Sequence, residues 1–226
     1  MPGRSFFIAV GLCFSAIFVP PACASAGATG KAIPGSQMAR VNLSDITLDF
    51  AFPTLKPSKD FGEVLLVSEI DLARTVKPAI VFHGYWDGPR YKMLSVTGTL
   101  RIWMDVRSWP DAARSAQGCN AKLKALVDHE LDLDQERYVR WKRTKPPTMQ
   151  SSSISIAGRE GLFFQSSYDE DRISYVFPVN GEFVLKLKFT SANNSGLGSE
   201  WVELSVREQE RFVRSMVLSG DPADCD

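Results

Sequence analysis

Apolar and polar residues alternate along much of the second half of this chain, which is the pattern of half-buried β-strands. The alternation is clearest over residues 182–190, directly after Asn180-Gly181, the strongest short hairpin signal in the sequence. Apolar residues at odd positions there alternate with other side chains at even positions. These are Phe183, Leu185, Leu187 and Phe189 against Val184, Lys186 and Lys188. Further strands are predicted around Ile154 and Ile156 and over 138–142, 161–167 and 172–177, with 168–171 as a polar turn.

The first half shows shorter strand-like segments and one long one. Strands are predicted over 46–52, 64–70, 79–83 and 93–106. Gly98 interrupts the alternation of the last of these, so we expect a bulge or a bend at that residue.

Two segments have the 3.6-residue spacing of amphipathic helices. Ser108-Trp109-Pro110-Asp111 has a capping-box pattern, so the first helix is expected to start near Trp109, with Gly118 as a candidate break. Its apolar stripe is Leu123, Leu126 and Val127. Ser205 and Glu208 form a second capping-box pattern before a helix whose inward residues are Val206, Val213, Met216 and Val217.

The order of elements is therefore strands, helix, strands, helix, without the regular alternation of a parallel doubly wound sheet. We expect an α+β fold, with an antiparallel sheet and two main helical regions packed on one face. Residues 41–226 are expected to form a single domain, or two similar strand-helix halves at 41–130 and 131–226.

The first 26 residues have the organisation of a secretory signal peptide. Arg4 precedes an uncharged apolar run over 6–19, and Ala24-Ser25-Ala26 fits the cleavage site best, with Ala22-Cys23-Ala24 as the alternative. The apolar run is too short to favour a membrane anchor. Pro20, Pro21 and Ala22 match a lipobox poorly, which argues against acylation of Cys23. The mature protein is expected to be exported and without a membrane span, with residues 27–40 as a flexible leader.

Composition narrows the class of protein. Lys+Arg and Asp+Glu are both 26, and removal of the signal peptide leaves 25 basic and 26 acidic residues. This balance argues against a nucleic-acid binder, which usually has a basic excess. Cleavage also leaves Cys119 and Cys225, for which an oxidising compartment favours one disulfide over two buried thiols. Their Cα atoms should then lie within about 7 Å of each other.

Motifs for catalysis and metal binding are incomplete. A buried strand that ends in His83-Gly84 is similar to the oxyanion-loop strand of α/β-hydrolases, but the chain has no Gly-x-Ser-x-Gly elbow and only His129 as a later histidine. The acidic stretch from Asp128 fails the EF-hand pattern because Leu133 stands where glycine is needed. We therefore assign no catalytic residue, metal site or cofactor, and interpret 79–88 as a hairpin strand with its turn.

Recognition features are more informative than catalytic ones. Tyr, Trp and Arg are enriched at interface hot spots, and they cluster around the turn that follows the strand at 79–83. A second feature is an acidic block over 128–136 followed by a basic block over 137–145, which could steer a partner. The alternatives are that Trp86 or Tyr91 packs on the core, and that the basic block is a solvated strand with Val139 and Trp141 inward. The candidate binding residues are Tyr85, Trp86, Arg90, Tyr91, Arg140 and Lys142.

The last third of the chain, from Ile154 onward, resembles the PsbP-like α+β fold of some bacterial periplasmic proteins. The resemblance rests on 175–178 (Tyr-Val-Phe-Pro), the Asn180-Gly181 turn, the strand over 183–189, and the closing helix with Phe212 and Met216. Related sheet-plus-helix domains occur among periplasmic immunity proteins that neutralise secreted antibacterial effectors. The resemblance implies a sheet-plus-helix domain and carries over no functional residue.

Three functions remain as hypotheses. The first is a non-enzymatic protein-binding protein of inhibitor or immunity type, exported to the periplasm of a Gram-negative bacterium. The second is a hydrolase that uses His83 or His129 with an unrecognised nucleophile. The third is a structural or assembly factor of the cell envelope.

Overall fold

The structure, a computed structural model, describes residues 36–53, 64–87, 98–141, 146–167, 172–192 and 198–220. These residues form two β-sheets and three α-helices, with a 3-10 turn at Leu72–Arg74. The helices are α1 (Asp111–Arg114), α2 (Cys119–Arg140) and α3 (Gly198–Ser215). The strands are β1 (Ser36–Leu43), β2 (Ile46–Pro53), β3 (Leu65–Leu66), β4 (Glu69–Ile70), β5 (Ala79–Asp87), β6 (Thr99–Ser108), β7 (Met149–Ile156), β8 (Arg159–Ser166), β9 (Arg172–Pro178), β10 (Phe183–Ala192) and β11 (Val217–Ser219).

Seven strands form the main sheet, in the order β3-β5-β6-β10-β9-β8-β7, and all neighbours are antiparallel. β10 follows the Asn180-Gly181 turn that the sequence predicts. The side-chain oxygen of Asn180, Oδ1, accepts hydrogen bonds from the backbone amides of Glu182 (3.0 Å) and Phe183 (2.9 Å) at the start of the strand. The alternation in β10 then places its odd residues on one face of the sheet and its even residues on the other.

A smaller sheet, in the order β11-β2-β1-β4, shares one hydrophobic core with the odd-numbered face of β10. Aromatic rings join the layers: Phe82 of the main sheet lies 5.5 Å from Phe50 of the small sheet, and Phe212 of α3 lies 5.6 Å from Phe189. All four side chains are buried, so this core holds the two sheets and α3 together.

The opposite face of the main sheet carries α1 and α2. A second hydrophobic cluster there joins the two helices to the sheet. It contains Trp109, Ala113, Leu123, Leu126 and Val127 packed on Phe164, Val176 and Val184. The α+β class, with helices packed on a largely antiparallel sheet, is thus confirmed. The arrangement differs in one detail, because the two helical regions lie on opposite faces rather than on one.

Several sequence expectations on the first half require correction. β1 begins at Ser36, inside the segment expected to be a flexible leader, and its residues Ala39, Val41 and Leu43 are buried. The division between two halves at residue 130 falls within α2. The segment 64–70 forms two short strands instead of one, and β6 begins at Thr99, whereas 93–97 lies outside the described residues.

The helices also differ from expectation at their ends. Gly118 does separate α1 from α2, but α2 runs to Arg140, so the predicted strand over 138–142 is wrong. Val139 and Trp141 are exposed by 72% and 69%, which excludes their proposed inward orientation. α3 begins at Gly198, and the hydroxyl of Ser205 donates to the carbonyl of Val202 (2.8 Å), so Ser205 lies within the helix and does not cap it.

Cys119 is the first residue of α2 and is held in a disulfide. Cys225 lies outside the described residues, so the Cys119–Cys225 pairing stays a prediction. Across the described part of the chain, no helix combines the length and apolar character that a membrane crossing requires.

Candidate functional site

The α2-side face of the main sheet is only partly covered. α2 packs over β8, β9 and β10, whereas several side chains of β5 and β6 on the same face are at least partly accessible. Arg101 is exposed there, and the neighbouring aromatic and basic residues are half-buried. We name this region the cationic-aromatic face and define it as His83, Tyr85, Arg101, Trp103 and Lys188.

Strand register brings these five residues together. Tyr85 lies opposite Arg101 and His83 opposite Trp103 in the β5–β6 ladder, and Lys188 lies opposite Trp103 in the β6–β10 ladder. Side chains directly opposite in an antiparallel ladder have Cβ atoms only about 5 Å apart. Three strands therefore supply one continuous surface from residues far apart in the sequence.

Arg101 occupies the middle of this surface. Its guanidinium carbon lies 5.5 Å from the ring centroid of Tyr85 and 5.5 Å from that of Trp103, within cation-π range of both. Its Nε donates a hydrogen bond to Nε2 of His83 (3.2 Å). Lys188 adds a second cation, with Nζ 5.3 Å from the Trp103 ring centroid. The face thus presents positive charge on a rigid aromatic support.

The indole of Trp103 is held in place by the buried carboxylate of Asp105. Its indole Nε1 donates to Oδ2 of Asp105 (3.0 Å), and Nε of Arg107 donates to Oδ1 of the same carboxylate (2.6 Å). Asp105 is buried, so these hydrogen bonds act in a low-dielectric environment and hold the indole in one orientation. The ring is therefore positioned before any ligand arrives.

A buried ion pair lies beside this carboxylate, under α2. Nζ of Lys186, a residue only 4% exposed, pairs with Oε1 of Glu130, and Arg107 Nη1 lies 3.7 Å from the same oxygen. Burial lowers the pKa of Lys186 to about 8, although Glu130 opposes the shift. Burial alone would raise the pKa of Glu130, but the charges of Lys186 and Arg107 outweigh it and leave that pKa lowered.

Two members of the face itself have shifted pKa values. Burial, with the charge of Arg101, lowers the pKa of His83, which favours its neutral imidazole. Burial also lowers the pKa of Lys188. The charge that the face offers at neutral pH therefore comes from Arg101 and Lys188.

The structure places the candidate binding residues predicted from the sequence in different parts of the molecule. Tyr85 belongs to the cationic-aromatic face. Trp86 points to the other side of the sheet and stacks on Trp201, with ring centroids 5.8 Å apart, so it packs against the core. Arg140 is exposed in the last turn of α2. Arg90, Tyr91 and Lys142 lie outside the described residues, and the binding role of all six stays a prediction.

Sequence reasoning missed Arg101, Trp103 and Lys188. A signal for two of them exists in β6, where Arg101, Trp103, Asp105 and Arg107 alternate with buried apolar residues. Four side chains with polar groups on one side of a strand would ordinarily be assigned to solvent. Only the registers of β5 and β10 show that they meet an aromatic and basic cluster.

The two histidines lie in different surroundings. His83 has its Nε2 engaged by Arg101, and His129 lines a groove of about 420 Å³ between α2 and the end of β6, together with Trp109 and Glu130. Within the described ranges, no three His, Cys, Asp or Glu side chains are grouped closely enough to hold a metal ion. Hydrolysis through His83 or His129 stays a prediction.

No protein-family model matches this chain, and no curated protein is similar to it. The PsbP-like resemblance of the last third therefore stays a prediction. The candidate site is defined by its geometry and chemistry alone.

Proposed function

We propose that this chain is an exported, non-enzymatic binding protein of inhibitor or immunity type. Its cationic-aromatic face holds an acidic segment of the target protein. The observation that carries this proposal is Arg101, exposed yet held within 5.5 Å of two aromatic ring centroids. The signal-peptide pattern of residues 1–26 supports export, and the periplasm is the compartment proposed.

Charge selects the kind of partner. Among the side chains that the structure describes, two acids lie beside the face: Asp105, which accepts hydrogen bonds from Trp103 and Arg107, and Glu130, which pairs with Lys186. Because both carboxylates are already engaged below the surface, the charges of Arg101 and Lys188 dominate what a partner meets. An acidic segment would gain attraction and faster association from such a patch.

The side chains of the cationic-aromatic face are held in place before a partner binds, which favours affinity from a small patch. Tyr, Trp and Arg are the residue types most enriched in binding hot spots. Trp103 is anchored by Asp105, and Arg101 is anchored between rings and by His83, so little side-chain entropy is lost on binding. Flat sheet faces also position side chains more accurately than loops do.

The first test uses a labelled ten-residue peptide of alternating Glu and Ala. The double variant Arg101→Ala, Lys188→Gln is expected to raise the Kd for this peptide at least tenfold, about 1.4 kcal/mol, because both cations are lost. Fluorescence anisotropy at low salt measures the affinity. Quenching of Trp103 fluorescence, absent in a Trp103→Phe variant, reports where the peptide lies.

The matched control removes two cations from elsewhere. Arg74 and Arg214 have side chains exposed by 88% and 79%, and Arg74→Ala, Arg214→Gln changes the net charge by the same amount. This control should bind the peptide as the wild type does. Equal weakening in both double variants would mean that only net charge matters, and the proposal would be abandoned.

A second test addresses the cellular target. A photo-crosslinking amino acid placed at Arg101 is expected to capture a protein that the same group at Arg74 does not. The captured protein should bind the wild type and lose affinity at least tenfold for Arg101→Ala, Lys188→Gln. Capture that is equal at the two positions would contradict a dedicated binding face.

A further inference from the structure

The two edges of the main sheet differ in length. β3 at one edge has two residues, whereas β7 at the other has eight. Within the described residues, β7 pairs only with β8, so one side of its backbone carries unpaired amide and carbonyl groups. Such an edge is a template for another strand.

Within the part of the chain that the structure describes, β7 lacks the features that usually protect an edge. Its sequence is Met-Gln-Ser-Ser-Ser-Ile-Ser-Ile, without a charged residue or a proline, and five of its eight residues are exposed. Natural edge strands are commonly blocked by lysine, proline, a bulge or a covering element. The β7–β8 register also runs without a bulge from Met149 to Ile156.

The hydrogen bonds to β8 show which groups of β7 point outward. The amide of Ser167 donates to the carbonyl of Thr148 (2.9 Å), which places the backbone polar groups of Thr148 on the β8 side. At the other end, Ala157 and Gly158 have positive φ (53° and 76°), as in a two-residue type I′ hairpin turn. Because antiparallel partners alternate, even-numbered residues bond to β8 and odd-numbered residues point outward. The outward residues are Met149, Ser151, Ser153 and Ser155.

We propose that β7 pairs with β7 of a second copy of this chain, antiparallel, about a two-fold axis at Ser152. Outward groups must meet outward groups, so odd residues pair with odd residues. The axis at Ser152 places Ser151 opposite Ser153 and Met149 opposite Ser155 of the second copy. This register uses all four outward residues of each chain and forms about eight main-chain hydrogen bonds.

The composition of β7 favours a second copy over a foreign strand. Foreign strands are selected by side-chain pockets beside the edge, and the outward residues of β7 are mostly serines, whose small side chains contribute little to the walls of such pockets. Self-pairing opposes no like charges and brings serine hydroxyls together, which is a favourable cross-strand pair. The surface is separate from the cationic-aromatic face, so its test is independent of the proposed function.

Charge pairs across the axis test both the dimer and its register. Ser151→Lys, Ser153→Lys places lysine opposite lysine twice and is expected to raise the dimer Kd at least tenfold. Ser151→Lys, Ser153→Glu places opposite charges together twice and should restore the wild-type Kd or improve it. Sedimentation velocity across a concentration series measures Kd, and circular dichroism checks that each variant is folded.

Ser153→Pro and Ser153→Ala form a second matched pair. Proline removes an outward amide without touching the β8 ladder and should abolish the dimer, whereas alanine keeps the amide and should preserve it. Hydrogen exchange of the outward amides should slow as the protein concentration rises. A wild type that stays monomeric, or protection that is independent of concentration, overturns the proposal.

Discussion

Replacing Glu130 by glutamine is expected to lower the free energy of unfolding by about 3–5 kcal/mol at pH 6, the typical cost of breaking a buried ion pair. The substitution keeps the shape of the side chain but leaves Lys186, which is 4% exposed, with a buried charge. Arg107 lies close by and adds repulsion. Urea unfolding followed by tryptophan fluorescence measures the change.

The stability lost in the Glu130→Gln variant should become smaller as pH rises. Glu130 opposes the lowering of the Lys186 pKa, so the pKa in the variant falls below the wild-type value of about 8. Between these two pKa values the folded variant binds fewer protons than the folded wild type, while the unfolded chains bind equally many. The difference in unfolding free energy between the wild type and the variant therefore decreases as pH rises toward 8 and is constant above it. Unfolding curves at pH 6, 7 and 9 test this.

Lys186→Met supplies the control in the Glu130→Gln background. Removing both charges together should recover most of the lost stability, since a buried pair contributes little net free energy when an apolar residue replaces it. Below pH 8 the pH dependence of the difference from the wild type should also disappear, because neither folded protein then has a lysine that titrates at this position. If Glu130→Gln costs less than about 1 kcal/mol at every pH, the buried pair does not carry the charge interaction described.

Gly98→Ala is expected to lower the free energy of unfolding by about 2–3 kcal/mol, through overpacking. A Cβ at this position would overlap Cδ2 and Cε2 of the Trp201 indole. That ring is fully buried, stacks on Trp86, and donates from Nε1 to the hydroxyl of Ser191 (3.0 Å), so it cannot move away cheaply. Chemical denaturation of the variant gives the value.

A double-mutant cycle separates this clash from a backbone effect. In a Trp201→Leu background, Gly98→Ala should cost less than about 0.5 kcal/mol, since the smaller side chain leaves room. If Gly98→Ala costs as much free energy in the Trp201→Leu background as in the wild type, glycine is required at this position for its backbone conformation and not to avoid the ring. The sequence suggested a bulge or bend at Gly98, whereas the structure shows close approach of a ring.

Local patterns predicted the strands well where one face is apolar. β10 follows from the alternation after Asn180-Gly181 because each inward residue is apolar and the turn is specified by its own residues. β1 was missed although Ala39, Val41 and Leu43 alternate, because a composition rich in small residues suggested a leader. The end of α2 was missed because Tyr138 and Val139 favour strands, whereas the helix is continued by pairs such as Asp134 and Arg137 (2.8 Å).

The candidate site could not be predicted in the same way, because it depends on register between distant strands. Lys186 and Lys188 look equivalent in the sequence, two residues apart on the polar side of one strand. One lies under α2 against Glu130 and the other beside Trp103, and only the position of the helix separates them. A one-residue shift in either of the two ladders would disperse the cluster.

The small sheet has a consequence for how the chain reaches its final form. Its last strand, β11, pairs with β2, so that Leu218 lies opposite Leu48 across 170 residues of sequence. A chain that is delivered from its amino terminus onward, by synthesis or by threading through a pore, cannot close this sheet until residue 219 has emerged. The small sheet is therefore completed late, and a truncation that removes residues 217–219 would remove one of its edge strands.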